Sequence, residues 1–348
     1  MTDIFDTMTM LQAIEQIRTP RRFLMDTFFN GSVPVTFGTK TVTIDIVKGQ
    51  RKMAPFVHPS LPGSVASRKG FISNTYEPPY IQPKLPTNAE LILKRAAGEN
   101  PFSTRTPLQR AGEQLGKDLV DLDEQIIRRE EWMCAQALTT GKVRVIGEGV
   151  DDTIDFRMED SHKITLGAGR WDTTDSDPIA NLRQWQRLVA KDSGRTANVA
   201  VLSAEAQDAF QGNAKVLAQL NSRRLDMGII KPELLPDGVT YLGYLNDPGV
   251  DLYTYNEWYL ADNSDDDSDD EAPMIPAGGV ILGSTATRNA MLYGAIQDLE
   301  AIESGLVEAA RFPKSWVTQE PSMRWLKLQS AALAGLLEPN AFIYAKVV

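Results

Sequence analysis

The sequence predicts an α+β fold, and three observations carry that expectation. A single helical pattern of roughly 35 residues runs between Thr106 and Gly141. Strand patterns lie on both sides of it, and a mixed helix and strand region is inserted before the chain returns to strands. At 348 residues, 42% of them hydrophobic, the chain can bury one large core or two smaller ones.

The first element is a short helix in "TMLQAIEQI". Thr9 and Gln12 fit a capping box, and Leu11, Ile14 and Ile17 share one face. After "FLMDTFFNG" comes "TVTIDIV", where Val42, Ile44 and Ile46 alternate with Thr43 and Asp45 as in a half-buried strand. The pattern then fails. Residues 48–86 hold seven prolines and three glycines, with no helical period and only short extended pieces such as "GFISNTY". Phe56, Val57, Leu61, Val65, Phe71, Ile72, Tyr76, Tyr80 and Ile81 make the segment too apolar for a disordered tract. A long apolar excursion outside its own core is expected to dock on a neighbouring subunit. His58, Arg68, Lys69, Phe71, Tyr76 and Tyr80 are the candidate contacts.

The long helix has Thr106 as N-cap, Pro107 at its first position, Gln109 closing a capping box and Gly141 ending it. Leu108, Ala111, Leu115, Leu119, Leu122 and Ile126 form an apolar stripe, which Met133 and Ala137 resume after a polar gap at Arg129 and Glu130. At 1.5 Å per residue it spans about 50 Å, a spine for a sheet to pack on. Residues 143–167 read as a hairpin turning near Asp151 and Asp152. Asp177 and Pro178 open a helix, "NVAVLS" is a buried strand, and "AEAQDAF" and "AKVLAQL" are shorter helices. "GVTYLGYL", "DLYTYNEWYLA", "GGVILGS", "AMLYGAIQD", "MRWLKLQSAALAGLL" and "AFIYAKVV" read as strands.

Composition excludes several kinds of chemistry. The net charge is -10, with residues 1–100 carrying 12 Lys and Arg against 8 Asp and Glu and the rest 24 against 38. Such an acidic bulk argues against tight nucleic-acid binding, and the asymmetry favours contacts between copies. No apolar run is long enough to cross a bilayer, so no membrane partner is expected, and the start lacks the pattern of an export signal. One cysteine, Cys134, cannot form an internal disulfide and suits a reducing cytoplasm as a half-buried helix residue. With only His58 and His162, a Cys/His zinc site is out of reach, and His162 in "EDSHKI" reads as a polar surface turn. The run "DNSDDDSDDE" at 262–271 fails as an EF-hand loop, because Asp270 stands at the glycine position and Pro276 at the bidentate glutamate. It reads instead as a solvated hairpin loop. No phosphate loop, dinucleotide fingerprint or nucleophile elbow occurs, so no metal, cofactor or catalytic residue is assigned.

The stretch "YGAIQDLEA" and the following "ARFPKSWVTQEPSMRWLKLQSAALAGLLEPNAF" resemble the end of lambda-type major head proteins, the major capsid protein E family of tailed phages. The residues carrying the resemblance are Arg311, Phe312, Pro313, Trp316, Val317, Thr318, Gln329, Ser330, Leu336, Leu337 and Pro339. Looser similarity runs through "FLMDTFFNG", "MAPFVHPSLPGSV", "YEPPYIQPK" and the long helix, while the acidic run departs from the pattern.

That resemblance implies the Hong Kong 97-type capsid fold. Residues 1–47 would be the N-terminal arm and first strand, 48–86 the extended E-loop, 87–177 a peripheral domain with its spine helix, 178–299 the axial domain, and 300–348 a return to the peripheral domain. It implies a structural protein rather than an enzyme. Copies would form pentamers and hexamers of an icosahedral head, a virion capsid assembled in the host cytoplasm with scaffold, portal and decoration proteins. DNA would be enclosed without sequence-specific binding. Two other readings stay open: an encapsulin-like compartment, and a carboxylate-dependent hydrolase. Autocatalytic cross-linking, known in distant relatives of this fold, would need Lys69 to join Asn340 of a neighbour with help from an acid such as Glu338.

Overall fold

A computed structural model describes residues 7–16, 22–30, 33–47, 71–94, 106–147, 149–221, 228–234, 238–260 and 271–348, with a few positions between 53 and 62. Arg68, Lys69 and most of the acidic run lie outside the described residues.

The helix Pro107–Thr140 is continuous over 34 residues. Its capping box is present as the sequence predicts, with Gln109 N donating to Thr106 Oγ1 and Thr106 N donating to Gln109 Oε1. Gly141 ends it at φ 71, a left-handed conformation, with the Met158 side chain where a Cβ would stand. Leu115, Leu119, Leu122 and Ile126 pack with Leu326 and Leu328 and with Met10 of the helix Thr7–Gln16.

Two sheets organise the rest. The strand Met323–Gly335 is the axis of the first. Along its first half it pairs with Phe312–Thr318 on one side and Lys84–Asn88 on the other. Along its second half it pairs with Ala290–Tyr293 and with Tyr80–Ile81. The second sheet has seven strands, in the order Gly228–Leu234, Val239–Leu245, Val250–Tyr255, Val199–Leu202, Gly279–Gly283, Phe342–Lys346 and Lys163–Thr165. Its central strands are covered on both faces, so they read as unbroken apolar runs. Val199, Val201, Ile281 and Phe342 face the core shared with the long helix and the helix Phe23–Phe28. Ala200, Leu202, Val280, Leu282, Ile343 and Ala345 face Trp171, Trp185 and Phe210, and the two indoles stack at 6.0 Å. Gly283 is opposite Phe342 because that ring occupies the space a Cβ would take; Phe28 meets the same ring edge-on at 5.2 Å.

These ladders cut across the boundaries expected from sequence. Lys163–Thr165 and Phe342–Lys346, placed by sequence in one domain, pair with each other in the sheet of the other. Ala290–Tyr293, expected in the inserted domain, pairs instead with Met323–Gly335. Strand membership is fixed by hydrogen bonding between segments far apart in the chain, which local pattern does not record. The hairpin after the long helix is shorter than expected. Lys142–Gly147 pairs with Val150–Asp155, with Gly147 opposite Val150, so Asp151 and Asp152 belong to its second strand. Of the segment 48–86, Phe71–Tyr76 pairs with Val42–Val47, while Tyr80–Ile81 and Lys84–Asn88 lie on the long strand. The ladder Val42–Val47/Phe71–Tyr76 therefore brackets residues 48–70.

Candidate assembly elements and the buried Arg311 centre

Glu130 and Glu131 lie side by side in the last third of the long helix, and both are buried. They point to different partners because successive helical residues are about 100° apart. Glu130 accepts from Arg311 Nη1 at 2.7 Å and Nη2 at 2.8 Å. Arg311 Nε donates to Asp123 Oδ1 at 2.8 Å, and Nη1 also reaches Ser330 Oγ at 3.1 Å. The guanidinium lies 5.9 Å from the centroid of Tyr293. Burial by itself would lower the pKa of Arg311, but Glu130 and Asp123 outweigh it and raise it. Burial and the nearby Glu130 push the Tyr293 hydroxyl up as well. A buried charge is tolerated only where its hydrogen-bonding capacity is used, and the planar fork of arginine does this for two carboxylates at once.

Glu131 holds the other element. Its oxygens accept from Leu24 N at 2.7 Å and Met25 N at 3.0 Å, the amides that open the helix Phe23–Phe28. The long helix thus caps the short one, whose own N-cap residue, Arg22, makes no side-chain cap. Burial pushes the Glu131 carboxyl up to about 7, against the lowering effect of those amides.

A third network runs over the first sheet. Tyr80 OH donates to Gln329 Oε1 at 2.6 Å, and Gln329 Nε2 donates to Asp298 Oδ2 at 3.1 Å. Lys314 Nζ closes it at 2.7 Å from Asp298 Oδ1 and 3.2 Å from Glu300. Burial pushes Tyr80 up to about 12. Asp298 is lowered overall, because Lys314 and Gln329 outweigh its burial.

Most of the residues chosen from sequence therefore work inside one chain. Arg311, Gln329 and Ser330 belong to the networks above. Phe312 is fully buried with Ile296 and Ala301, Pro313 is buried beside it, and Pro339 is buried in the single turn Pro339–Ala341. Trp316 stacks on Trp325 across the ladder at 6.4 Å, with Lys84 over the Trp325 ring. Thr318 Oγ1 donates to Pro321 and Met323 carbonyls at the turn, and Val317 is exposed. Tyr76 OH donates to the Asp155 carbonyl at 2.9 Å, and its ring meets Phe156. Tyr76 and Tyr80, expected to reach a neighbour, are thus held within their own subunit. The backbone of Phe71 pairs with Val47, and His58 is exposed.

Two expectations are corrected. His162 is not a surface residue: its ring is fully buried, Nδ1 lies 2.8 Å from the Phe342 carbonyl and Nε2 lies 3.1 Å from Asp192. The polar neighbours that suggested exposure point outward, while the C-terminal strand and a helix end close over the imidazole. Cys134 is fully rather than half buried, and burial, then Glu131, raise its thiol. Among the described residues no cluster of three His, Cys, Asp or Glu could hold a metal ion, and no helix is long and apolar enough to cross a membrane.

A model of the family described as phage major capsid protein E matches residues 6–347. The chain belongs to that family. The head protein is 27% identical over 349 residues to a prophage-derived major head protein of Escherichia coli O6:H1 strain CFT073, covering 99% of each chain. It is 26% identical to the major capsid protein of Escherichia phage lambda, covering 98% of each. Among solved structures it matches a prophage capsid protein from E. coli CFT073 at TM-score 0.74 and 20% identity, over 99% of both chains. A phage-related protein from Bordetella bronchiseptica RB50 matches at TM-score 0.57 and 13% identity, over 99% and 98%. The fold is the Hong Kong 97-type capsid fold, and the protein is a structural component of a phage head rather than an enzyme.

For this capsid protein the sequence marked Arg311 but not its partners. Glu130 falls in the polar gap of the apolar stripe, and nothing local distinguishes it from a solvated glutamate. The available signal was a pair of adjacent acids interrupting a stripe that resumes in phase, with a motif arginine left to be neutralised.

Proposed function

We propose that this capsid protein assembles as pentamers and hexamers into an icosahedral head enclosing the genome of a lambda-type phage or prophage. In this reading the half built on Met323–Gly335 and the long helix is the peripheral domain, and the seven-stranded half is the axial domain. Residues 48–70, bracketed by the ladder Val42–Val47/Phe71–Tyr76, are the E-loop reaching a neighbour. Scaffold, portal and decoration proteins are its further partners, with assembly in the host cytoplasm. The single observation that supports this best is the family match along residues 6–347. An acidic shell suits the task, since a container that neutralised many phosphates would grip the DNA it must release.

The cross-linking chemistry finds little support: both Glu338 oxygens are held by Arg195 at 2.8 Å, and Asn340 Oδ1 accepts from Glu159 N. The test of assembly is light scattering after size exclusion, with negative-stain images of any large fraction. Closed shells or five- and six-membered rings are expected. A strict monomer at high concentration would overturn the reading.

A further inference from the structure

Two strand ladders meet end to end between the halves of the subunit. Gly279–Gly283 runs antiparallel to Phe342–Lys346, and that ladder stops at Gly283 opposite Phe342. Pairing resumes in the other sheet between Ala290–Tyr293 and Met323–Gly335, with Ala290 opposite Gly335. The connectors between them, 284–289 and 336–341, are equal in length and lie side by side. Among the described residues no backbone hydrogen bond joins one connector to the other. Side chains do so instead. Asn289, 2% exposed, accepts Leu337 N at 2.9 Å and Glu338 N at 3.1 Å through its Oδ1. Glu338 carries the tie onward, its carboxylate accepting from Arg195 Nε and Nη2 at 2.8 Å each. Arg195 and Asn198 precede the strand Val199–Leu202 of the seven-stranded sheet. Asn198 grips the other connector, accepting from Thr285 N and donating to Thr285 Oγ1, both at 2.9 Å.

Three features make this joint easier to deform than either sheet. The Arg195 and Glu338 side chains are 34% and 25% exposed, so water replaces their bonds at small cost. Asn289 Nδ2 and Thr287 Oγ1 are buried without a hydrogen-bond partner, which leaves the present arrangement of the connectors incompletely satisfied. Beside the connectors the end of the helix Phe23–Phe28 touches both sheets: Phe28 meets Phe342 edge-on, and the Phe29 carbonyl accepts from Met291 N at 3.2 Å. Apolar contact is non-directional and tolerates small rotations that a hydrogen-bonded ladder resists.

We propose that the paired connectors 284–289 and 336–341 are the bending line of the subunit, and that the Arg195–Glu338 clasp sets the angle between its two halves. The inference rests on the self-assembly reading and adds to it the element that regulates shape. One chain that closes both five- and six-membered rings must take more than one shape, and bending costs least where side chains rather than a ladder join the halves. The relay from Asn289 through Glu338 to Arg195 holds one angle; cutting it leaves both sheets intact and the angle free.

The test uses the full-length chain carrying Arg195→Ala or, as the milder change, Glu338→Gln. In unassembled subunits, amide exchange at Thr285, Leu337 and Glu338 (or the Gln that replaces it) should quicken about tenfold or more in both variants, while exchange within the strands on either side stays as it was. Negative-stain images of the assemblies should show a spread of head diameters or open, unclosed sheets where the unsubstituted chain gives one diameter. Gly141→Ala, which strains the end of the long helix and leaves the clasp intact, should keep the single diameter and so separates a freed angle from a merely weakened subunit. Unchanged exchange at those three amides in both variants overturns the bending line. One sharp diameter in both clasp variants, or the same spread from Gly141→Ala, overturns the role of the clasp. The exchange measurement needs no shell, so failure of the unsubstituted protein to assemble would sink the self-assembly reading and leave the bending line to be decided on the subunit alone.

Discussion

Arg311 and Glu130 form a bidentate pair, two nitrogens on two oxygens at 2.7 and 2.8 Å, inside the seam between the long helix and the first sheet. They are 181 residues apart in the chain. The pair fixes which turn of the helix faces which residue of the strand ladder, since a slip by one residue would bury both charges unpaired.

Replacing Arg311 by Met should cost about 3–5 kcal/mol of subunit stability, the usual penalty for leaving buried carboxylates without their cation. Urea unfolding of the unassembled subunit measures it. The pair Arg311→Met with Glu130→Leu should be less damaging than the single change. A loss under about 1 kcal/mol for Arg311→Met would show that the centre is not what holds helix to sheet.

Glu131 should make stability depend on pH. Its carboxyl titrates near 7 in the folded chain, against 4.5 as its ordinary value. Because the folded value is the raised one, the contribution is complete below about pH 4.5 and is lost as pH rises through about 7. The window spans up to about 3 kcal/mol. Glu131→Gln keeps one acceptor oxygen for the Leu24 and Met25 amides, loses the other, and does not titrate, so the bond it loses lowers stability by an amount that does not vary with pH. The difference between the two proteins' unfolding free energies should therefore slope between pH 4.5 and 7, and a flat difference would contradict the assignment.

Gly141→Ala should destabilise by about 1–2 kcal/mol or more. The position has φ 71, and the added methyl would meet the Met158 side chain. Gly116, in the same helix with nothing close by, should gain slightly from the same substitution. Paired thermal melts of the two variants read both signs at once.

Cys134 should resist thiol reagents in the native subunit and react once per chain in denaturant. It is fully buried, and its thiol is raised by burial and by Glu131, so thiolate is scarce and inaccessible. Rapid labelling without denaturant would mean that the long helix opens toward its C-terminal end.

The long helix was legible down to its capping box, because caps and apolar period are local and the interactions that fix them span three or four residues. The family resemblance was legible for a similar reason: Arg311, Gln329 and Ser330 lie close together in sequence. What Arg311 binds was not, since Asp123 and Glu130 reach it only once a sheet formed from the far end of the chain packs on the helix.

By itself the sequence determined the α+β class, the spine helix, the acidic and unstapled character of the chain and the family it resembles. The tertiary structure decided membership of the sheets: Lys163–Thr165 and Phe342–Lys346 join strands from the middle of the chain, and Tyr80 and Tyr76 turn inward to Gln329 and Asp155. It also decided that His162, Glu130 and Glu131 are buried. Each of these depends on partners distant in the chain, whose hydrogen bonds offset the cost of removing a polar group from water, and periodicity along one segment carries no record of them.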